Sequence, residues 1–254
     1  MLKILFVCIE EDPIEPMQIE LLSALAKREG HQTFLNILRH KNLGASLRRI
    51  RPDIVAYSGK TGEHTELLKV NRYIKKTYGD GVFTIMGGPH ATFNHSAIQL
   101  YTETDRQFAE FHRVYTDLQT AAGGGTAPRF RAAPVKSELD ALCIGEGDDA
   151  WVDVLRAVDR RTPVDGIPNI ITAANRRLRP VPDIRLRRTS LDDLPYYDRE
   201  LVYGTTFLAQ FPLRSFMAGR GCPFRCSYCF NPVSYTHLRA HETPEHLVCR
   251  LLLE

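Results

Sequence analysis

Three cysteines, Cys222, Cys226 and Cys229, stand at C-x3-C-x2-C spacing in the loop Gly219-Arg220-Gly221-Cys222-Pro223-Phe224-Arg225-Cys226-Ser227-Tyr228-Cys229-Phe230. Thiolates this close can converge on one inorganic centre, and cysteine is the soft ligand that iron–sulfur clusters select. A four-iron cluster held by three thiolates keeps one iron open to a small molecule, where a fourth thiolate would close it. Two other uses of the cysteines compete. Six cysteines in 254 residues, with no secretory signal ahead of them, are sparse for a disulfide framework. A zinc site is the better rival, since Cys226, Cys229, His237 and His241 read C-x2-C-x7-H-x3-H. That gap between the pairs is shorter than in common zinc fingers, and it leaves Cys222 idle.

The loop resembles the cluster loop of the radical S-adenosylmethionine enzymes, down to the aromatic Tyr228 before the last cysteine. The resemblance implies that Cys222, Cys226 and Cys229 hold a 4Fe-4S cluster. It also implies that the open iron chelates S-adenosylmethionine through its amino and carboxylate groups, with Tyr228 among the cofactor contacts. An electron from an external reductant of the flavodoxin or ferredoxin type would then cleave the sulfonium to a 5′-deoxyadenosyl radical.

The elements that must position this loop come in a regular alternation. Residues 2–9 form a continuous β-branched and aromatic run, the pattern of a strand buried on both faces. Pro16 is placed to open a helix whose apolar residues, Ile19, Leu21, Leu22, Leu25 and Ala26, recur at helical spacing until Gly30 closes it. Residues 32–38, 54–58 and 82–86 read as further strands, with helices predicted over 43–50 and 63–78. A fifth strand begins near Asp140, and a helix over 148–160 puts Trp151, Val152, Leu155 and Val158 on one face. Such alternation predicts a doubly wound α/β sheet whose ligands bind outside the carboxyl ends of the strands.

The turns at those ends carry the second set of candidates. Gly87-Gly88-Pro89-His90-Ala91-Thr92 follows the fourth strand, and Asp140-Ala141-Leu142-Cys143-Ile144-Gly145-Glu146-Gly147 spans the fifth strand and its turn. With Ser58 after the third strand, they make residues 1–185 resemble the cobalamin-binding domain that precedes the radical barrel in one large branch of the same family. The resemblance implies a parallel, five-stranded, flavodoxin-like sheet with cobalamin over its strand ends. Its nucleotide tail would lie among Ser58, Gly59, Gly87, Gly88, Pro89, Gly145 and Glu146. One departure stands out. The Asp-x-His-x-x-Gly motif that gives cobalt a histidine is absent, because the first turn reads Glu10-Glu11-Asp12-Pro13-Ile14. His64 and His90 are the imidazoles left near the pocket, expected as pocket or turn residues rather than metal ligands. Glu146, Asp148 and Asp149 sit where carboxylates complement a helix dipole, with contact to cofactor ribose or amide groups as the alternative.

The remaining stretches are read more simply. Residues 100–135 look inserted, with Gly123-Gly124-Gly125 marking a loop. Residues 167–172 and Leu178 suggest a hairpin, 186–212 an interdomain linker, and 213–232 the first strand and cluster loop of a radical barrel. Residues 233–254 resemble the translated read-through of a sequencing adapter and are expected to be a non-native tail. The chain is therefore expected to be a truncated amino-terminal portion, inactive alone, of an enzyme for radical methyl transfer or rearrangement of a small-molecule substrate. A non-catalytic cobalamin-binding module, or a radical enzyme that methylthiolates transfer RNA, are the alternatives.

Composition narrows these readings. Apolar residues at 43% are enough for a sizeable core, and the apolar runs are far too short to span a membrane. A net charge of +3, with arginines at 176, 177, 179, 185, 187 and 188 but no interleaved aromatic platform, makes a nucleic-acid partner unlikely on sequence. Sparse cysteines and an oxygen-sensitive motif point to the reducing cytoplasm.

Overall fold

A computed structural model describes residues 1–9, 15–60, 62–93, 139–178, 183–185, 191–212, 214–217 and 220. Its centre is a six-stranded sheet. The strands are β1 (Lys3–Cys8), β2 (Gln32–Ile37), β3 (Ile54–Ser58), β4 (Phe83–Gly87), β5 (Ala141–Cys143) and β6 (Ile170–Ile171), in the order β2-β1-β3-β4-β5-β6. The first five are parallel, in registers that set Ile4 beside Ile54, Ser58 beside Gly87 and Met86 beside Leu142.

Helices cover both faces, as continuous apolar strands require. On one face lie α1 (Met17–Arg28) and a helix near the end of the sheet region, Asp148–Arg160. On the other lie α2 (Leu43–Ile50) and α3 (His64–Tyr78). A short helix, α4 (Pro89–Phe93), follows β4, so Asp148–Arg160 is α5 here. Local signals fix the helix ends. The Asn42 side chain accepts the Ala45 N–H at 3.0 Å at the start of α2. After α1 the chain turns through Gly30 at φ +83°, and the His31 N–H reaches back to Ala26 O at 3.0 Å.

Alternation along each strand splits the core in two. Ile4, Phe6, Ile54, Ala56 and Ile85 pack with α1 and α5, around Leu25, Trp151 and Leu155. Leu5, Val7, Val55, Tyr57 and Met86 pack with α2 and α3, around Leu47, Leu67 and Ile74.

Two expectations need correction. The sheet has six strands rather than five, and β6 pairs antiparallel with β5, Leu142 opposite Ile171 and Cys143 opposite Ile170. The hairpin expected over 167–172 and Leu178 keeps only its first arm, which is β6, because Thr172 and Asn175 cap a helix that takes in Leu178. The Asn175 side chain accepts the Thr172 N–H at 2.9 Å, and Thr172 Oγ1 accepts the Asn175 N–H at 3.2 Å. That reciprocal pair starts α6 (Ala173–Leu178).

The stretch read as a linker also enters the core. The short α7 (Arg199–Tyr203) buries Leu201 and Val202 with α1, and Leu208 follows. Polar contacts staple it down: Asp198 takes hydrogen bonds from Ser23 Oγ at 2.5 Å and an ion pair from Lys27 at 2.7 Å. Beside them Glu15 accepts from the Tyr203 hydroxyl and from the Ser215 N–H at 3.1 Å. Glu20 is fully buried there without a hydrogen-bond partner, and burial, with Glu15 adding, raises its carboxyl to about 7. Residues 214–217, expected as the first barrel strand, carry no strand ladder among the described residues; Arg199 holds the Ser215 carbonyl at 2.6 Å. Among the described residues no helix is long and apolar enough to cross a membrane. The insertion at 100–135 and the tail at 233–254 lie outside the described residues.

Candidate functional site

At the carboxyl ends of the strands the register lines up one row of small side chains. Cys8, Ser58, Gly87 and Cys143 end β1, β3, β4 and β5, and all four are only partly buried. They point toward the α1 and α5 side, where Cys8 and Cys143 touch the edge of that core. Together they make a row of small residues across four strands, a trough in side-chain size beside the larger residues one position back.

Three glycines in this region have different jobs. Gly88 sits at φ +96°, and a Cβ there would lie 2.9 Å from Gly59 O and 3.1 Å from Gly59 N. A Cβ on Gly59 would meet Met86 Sδ at 3.0 Å. These two are glycine because the β3 and β4 turns press backbone to backbone, with the Gly59 N–H on Gly87 O at 2.9 Å and the His90 N–H on Gly59 O at 3.0 Å. That crowding is by itself enough to require glycine at 88. Gly87 is the open one: a Cβ there would find only Cys143, at 3.8 Å and beyond. Neither protein packing nor backbone angle demands glycine at 87.

The β5 turn is tied to the same frame. Thr92 Oγ1 donates to Gly88 O at 3.1 Å and accepts the Gly145 N–H at 3.1 Å. Asn169, at φ +67° and buried, gives its amide to Ile144 O at 3.0 Å and its carbonyl oxygen to the Arg185 N–H at 2.8 Å. Sequence reading passed over Asn169, although asparagine is the non-glycine residue that best tolerates a left-handed backbone. Pro89 occupies the first position of α4, where its missing N–H costs nothing, and Glu146 lies half-buried beside Gly145.

Burial pushes the Cys8 and Cys143 thiols up to about 12, with Lys60 opposing at Cys8 and Asp148 adding at Cys143. His64 and His90 stack at 3.8 Å between ring centroids and 14° between planes. Burial lowers both, and His64 adds to bring His90 down to about 4, so both rings are neutral at pH 7. Among the described residues no three His, Cys, Asp or Glu side chains converge on a metal position.

Asp148 proves neither a simple dipole complement nor a free ligand. Its carboxylate, at the start of α5, is paired with Arg220 of the cysteine loop through both guanidinium nitrogens, one contact being 3.4 Å. Cys222, Cys226, Tyr228 and Cys229 themselves, and the first turn at 10–14, lie outside the described residues.

The chain folds as an open, mostly parallel α/β sheet with small residues and glycine turns at its strand ends. Comparison with known proteins sharpens the class. An uncharacterized methyltransferase from Pyrococcus horikoshii is 21% identical over 87% of this chain and 41% of its own length. Hopanoid C-3 methylase from Methylococcus capsulatus is 25% identical over 85% of this chain and 36% of its own. The chain thus spans about two fifths of the curated relatives it matches. Among solved structures, the radical S-adenosylmethionine methyltransferase TsrM from Kitasatospora setae, with tryptophan and an S-adenosylmethionine analogue, shares the fold. The TM-score is 0.50 at 18% identity, over 91% of this chain and 41% of that one. TsrM has also been solved with cobalamin and a [4Fe-4S] cluster bound. No family model matches the chain. In fold the chain resembles the radical S-adenosylmethionine methyltransferase TsrM, and in sequence it resembles a methyltransferase and a methylase.

Proposed function

We propose that the α/β layer holds cobalamin and that the loop at 219–230 holds a 4Fe-4S cluster with S-adenosylmethionine, as the binding apparatus of a radical methyltransferase. One observation supports the reading: Cys8, Ser58, Gly87 and Cys143 place a row of small, partly buried residues side by side at the strand ends. In this reading the sheet is flavodoxin-like over 1–185, the segment 186–212 joins it to the radical domain, 213–232 opens that domain, and 233–254 is foreign.

The residues present fit the groups. Gly87 leaves space that a Cβ would occupy, and Ser58, Gly87 and Gly145 would be among the residues holding the nucleotide tail of cobalamin. Gly59 and Gly88 shape the turn, Pro89 stiffens it, and Glu146 stands at the rim. Cys222, Cys226 and Cys229 would ligate three irons, with Tyr228 beside the cofactor. When bound, the cofactors supply reductive cleavage of S-adenosylmethionine and methyl transfer; the protein positions and shields them. The substrate is a small molecule and the electron donor a flavodoxin- or ferredoxin-type protein.

Hydroxocobalamin titration of the whole chain tests the reading. Gly87→Val should weaken binding about tenfold, equivalent to about 1.4 kcal/mol, without loss of fold. Anaerobic reconstitution should load about four irons, abolished by alanine at Cys222, Cys226 or Cys229 but not at Cys8, Cys143 or Cys249. Equal cobalamin binding by wild type and Gly87→Val would place the ligand elsewhere.

A further inference from the structure

The cysteine loop is fastened to the α/β layer at one charged contact. Arg220 and Asp148 are 72 residues apart, yet the guanidinium meets the carboxylate fork to fork, with side-chain exposures of 23% and 7%. An isolated buried carboxylate is costly, and a planar guanidinium satisfies both its oxygens at once, which an ammonium cannot. Glu146 adds to the field holding Arg220 charged. The helix dipole of α5 does not need Asp148 for this, since Asp149 stands in the same first turn.

The contact lies at a telling place. Asp148 follows the Gly145-Glu146-Gly147 turn, which Thr92 ties to the β4 turn beside the trough. Arg220 precedes Cys222 by two residues. We propose that Asp148 is the positioning residue of the cluster loop, fastening that loop to the α/β layer through Arg220. This rests on the reading that the three cysteines carry a cluster. The pair does no chemistry of its own; it fastens the loop.

The test uses the whole chain as wild type, Asp148→Asn, Arg220→Lys and Asp149→Asn, reconstituted anaerobically with iron and sulfide. Asp148→Asn should load as much iron as wild type but release it to a ferrous chelator at least fivefold faster. Its reduced cluster should also give an altered electron paramagnetic resonance spectrum on adding S-adenosylmethionine. Arg220→Lys, which keeps the charge without the fork, should fall between, and Asp149→Asn, which removes a helix-terminal charge alone, should match wild type. If Asp148→Asn and Asp149→Asn release iron alike and share the wild-type spectrum, the proposal is overturned. Failure of wild type to bind iron would instead sink the cluster reading. The clamp would still be tested by trypsin, which should cut after Arg220 faster in Asp148→Asn than in Asp149→Asn; equal rates would overturn it.

Discussion

The last residues of four neighbouring strands present two opposite surfaces, one step apart in sequence. Val7, Tyr57, Met86 and Leu142 face α2 and α3, with exposures of 0%, 3%, 0% and 5%. Cys8, Ser58, Gly87 and Cys143, the very next residues, face the other way and stay partly open. Because side chains alternate, one residue of register separates a closed core from a trough. Protein interiors are packed to crystal-like density, so a row of small residues beside a filled one marks space kept for something else. Size, more than polarity, distinguishes the two faces.

The largest effect should come from emptying the filled side. Met86→Ala should cost about 2–5 kcal/mol in urea unfolding, since it opens a cavity under α3, whereas Cys143→Ala should cost well under half of that. Equal losses would erase the distinction between the faces. A sharper contrast needs no change of face. Gly88→Ala forces a Cβ to 2.9 Å from the Gly59 carbonyl in a left-handed backbone, and should destabilise by about 1–3 kcal/mol. Gly87→Ala adds the same atom one residue earlier at ordinary contact distance, 3.8 Å from Cys143 Cβ, and thermal unfolding should shift little or upward.

Titration separates the faces more gently. His90, stacked on His64 of α3, has its folded pKa lowered from 6.5 to about 4, so the unfolded chain binds more protons between those values. Stability should be present above pH 6.5 and decline as pH falls toward 4, and His90→Gln should flatten that slope. Glu20 on α1 behaves inversely: its folded pKa is raised from 4.5 to about 7, so stability should decline as pH rises through that window. Glu20→Gln should raise the urea midpoint at pH 8 and leave it unchanged at pH 4. An unchanged midpoint at pH 8 would mean that Glu20 is not desolvated against α7.

Much of the sheet was legible because its signals are local. The helices expected at 43–50 and 148–160 are bounded as read, and the strand at 54–58 likewise, since unbroken apolar runs and periodic faces need no tertiary context. β6 lies inside the stretch 167–172 read as a hairpin arm, but two residues carry no period from which its partner and antiparallel direction could be read. Within the site, Ser58 and Gly87 were singled out by their turns and do lie side by side. Cys8 and Cys143 were passed over because their shared row exists only once the register is known. The backbone contact of Gly88 with Gly59, 29 residues earlier, leaves no trace in sequence. The Arg220–Asp148 contact is illegible for the same reason.

The staple between α1 and α7 also sets a clock on synthesis. Ser23 meets Asp198 across 175 residues, and Glu15 meets Ser215 across 200. Translation at about 5–20 residues per second delivers those partners roughly 10–40 s after α1 has been made. Throughout that interval Glu20, Ser23 and Lys27 face water, where their charges and hydroxyl are hydrated at no cost. Only when the late segment arrives must Glu20 surrender its water, so the amino-terminal helix is among the first elements made and among the last to be sealed.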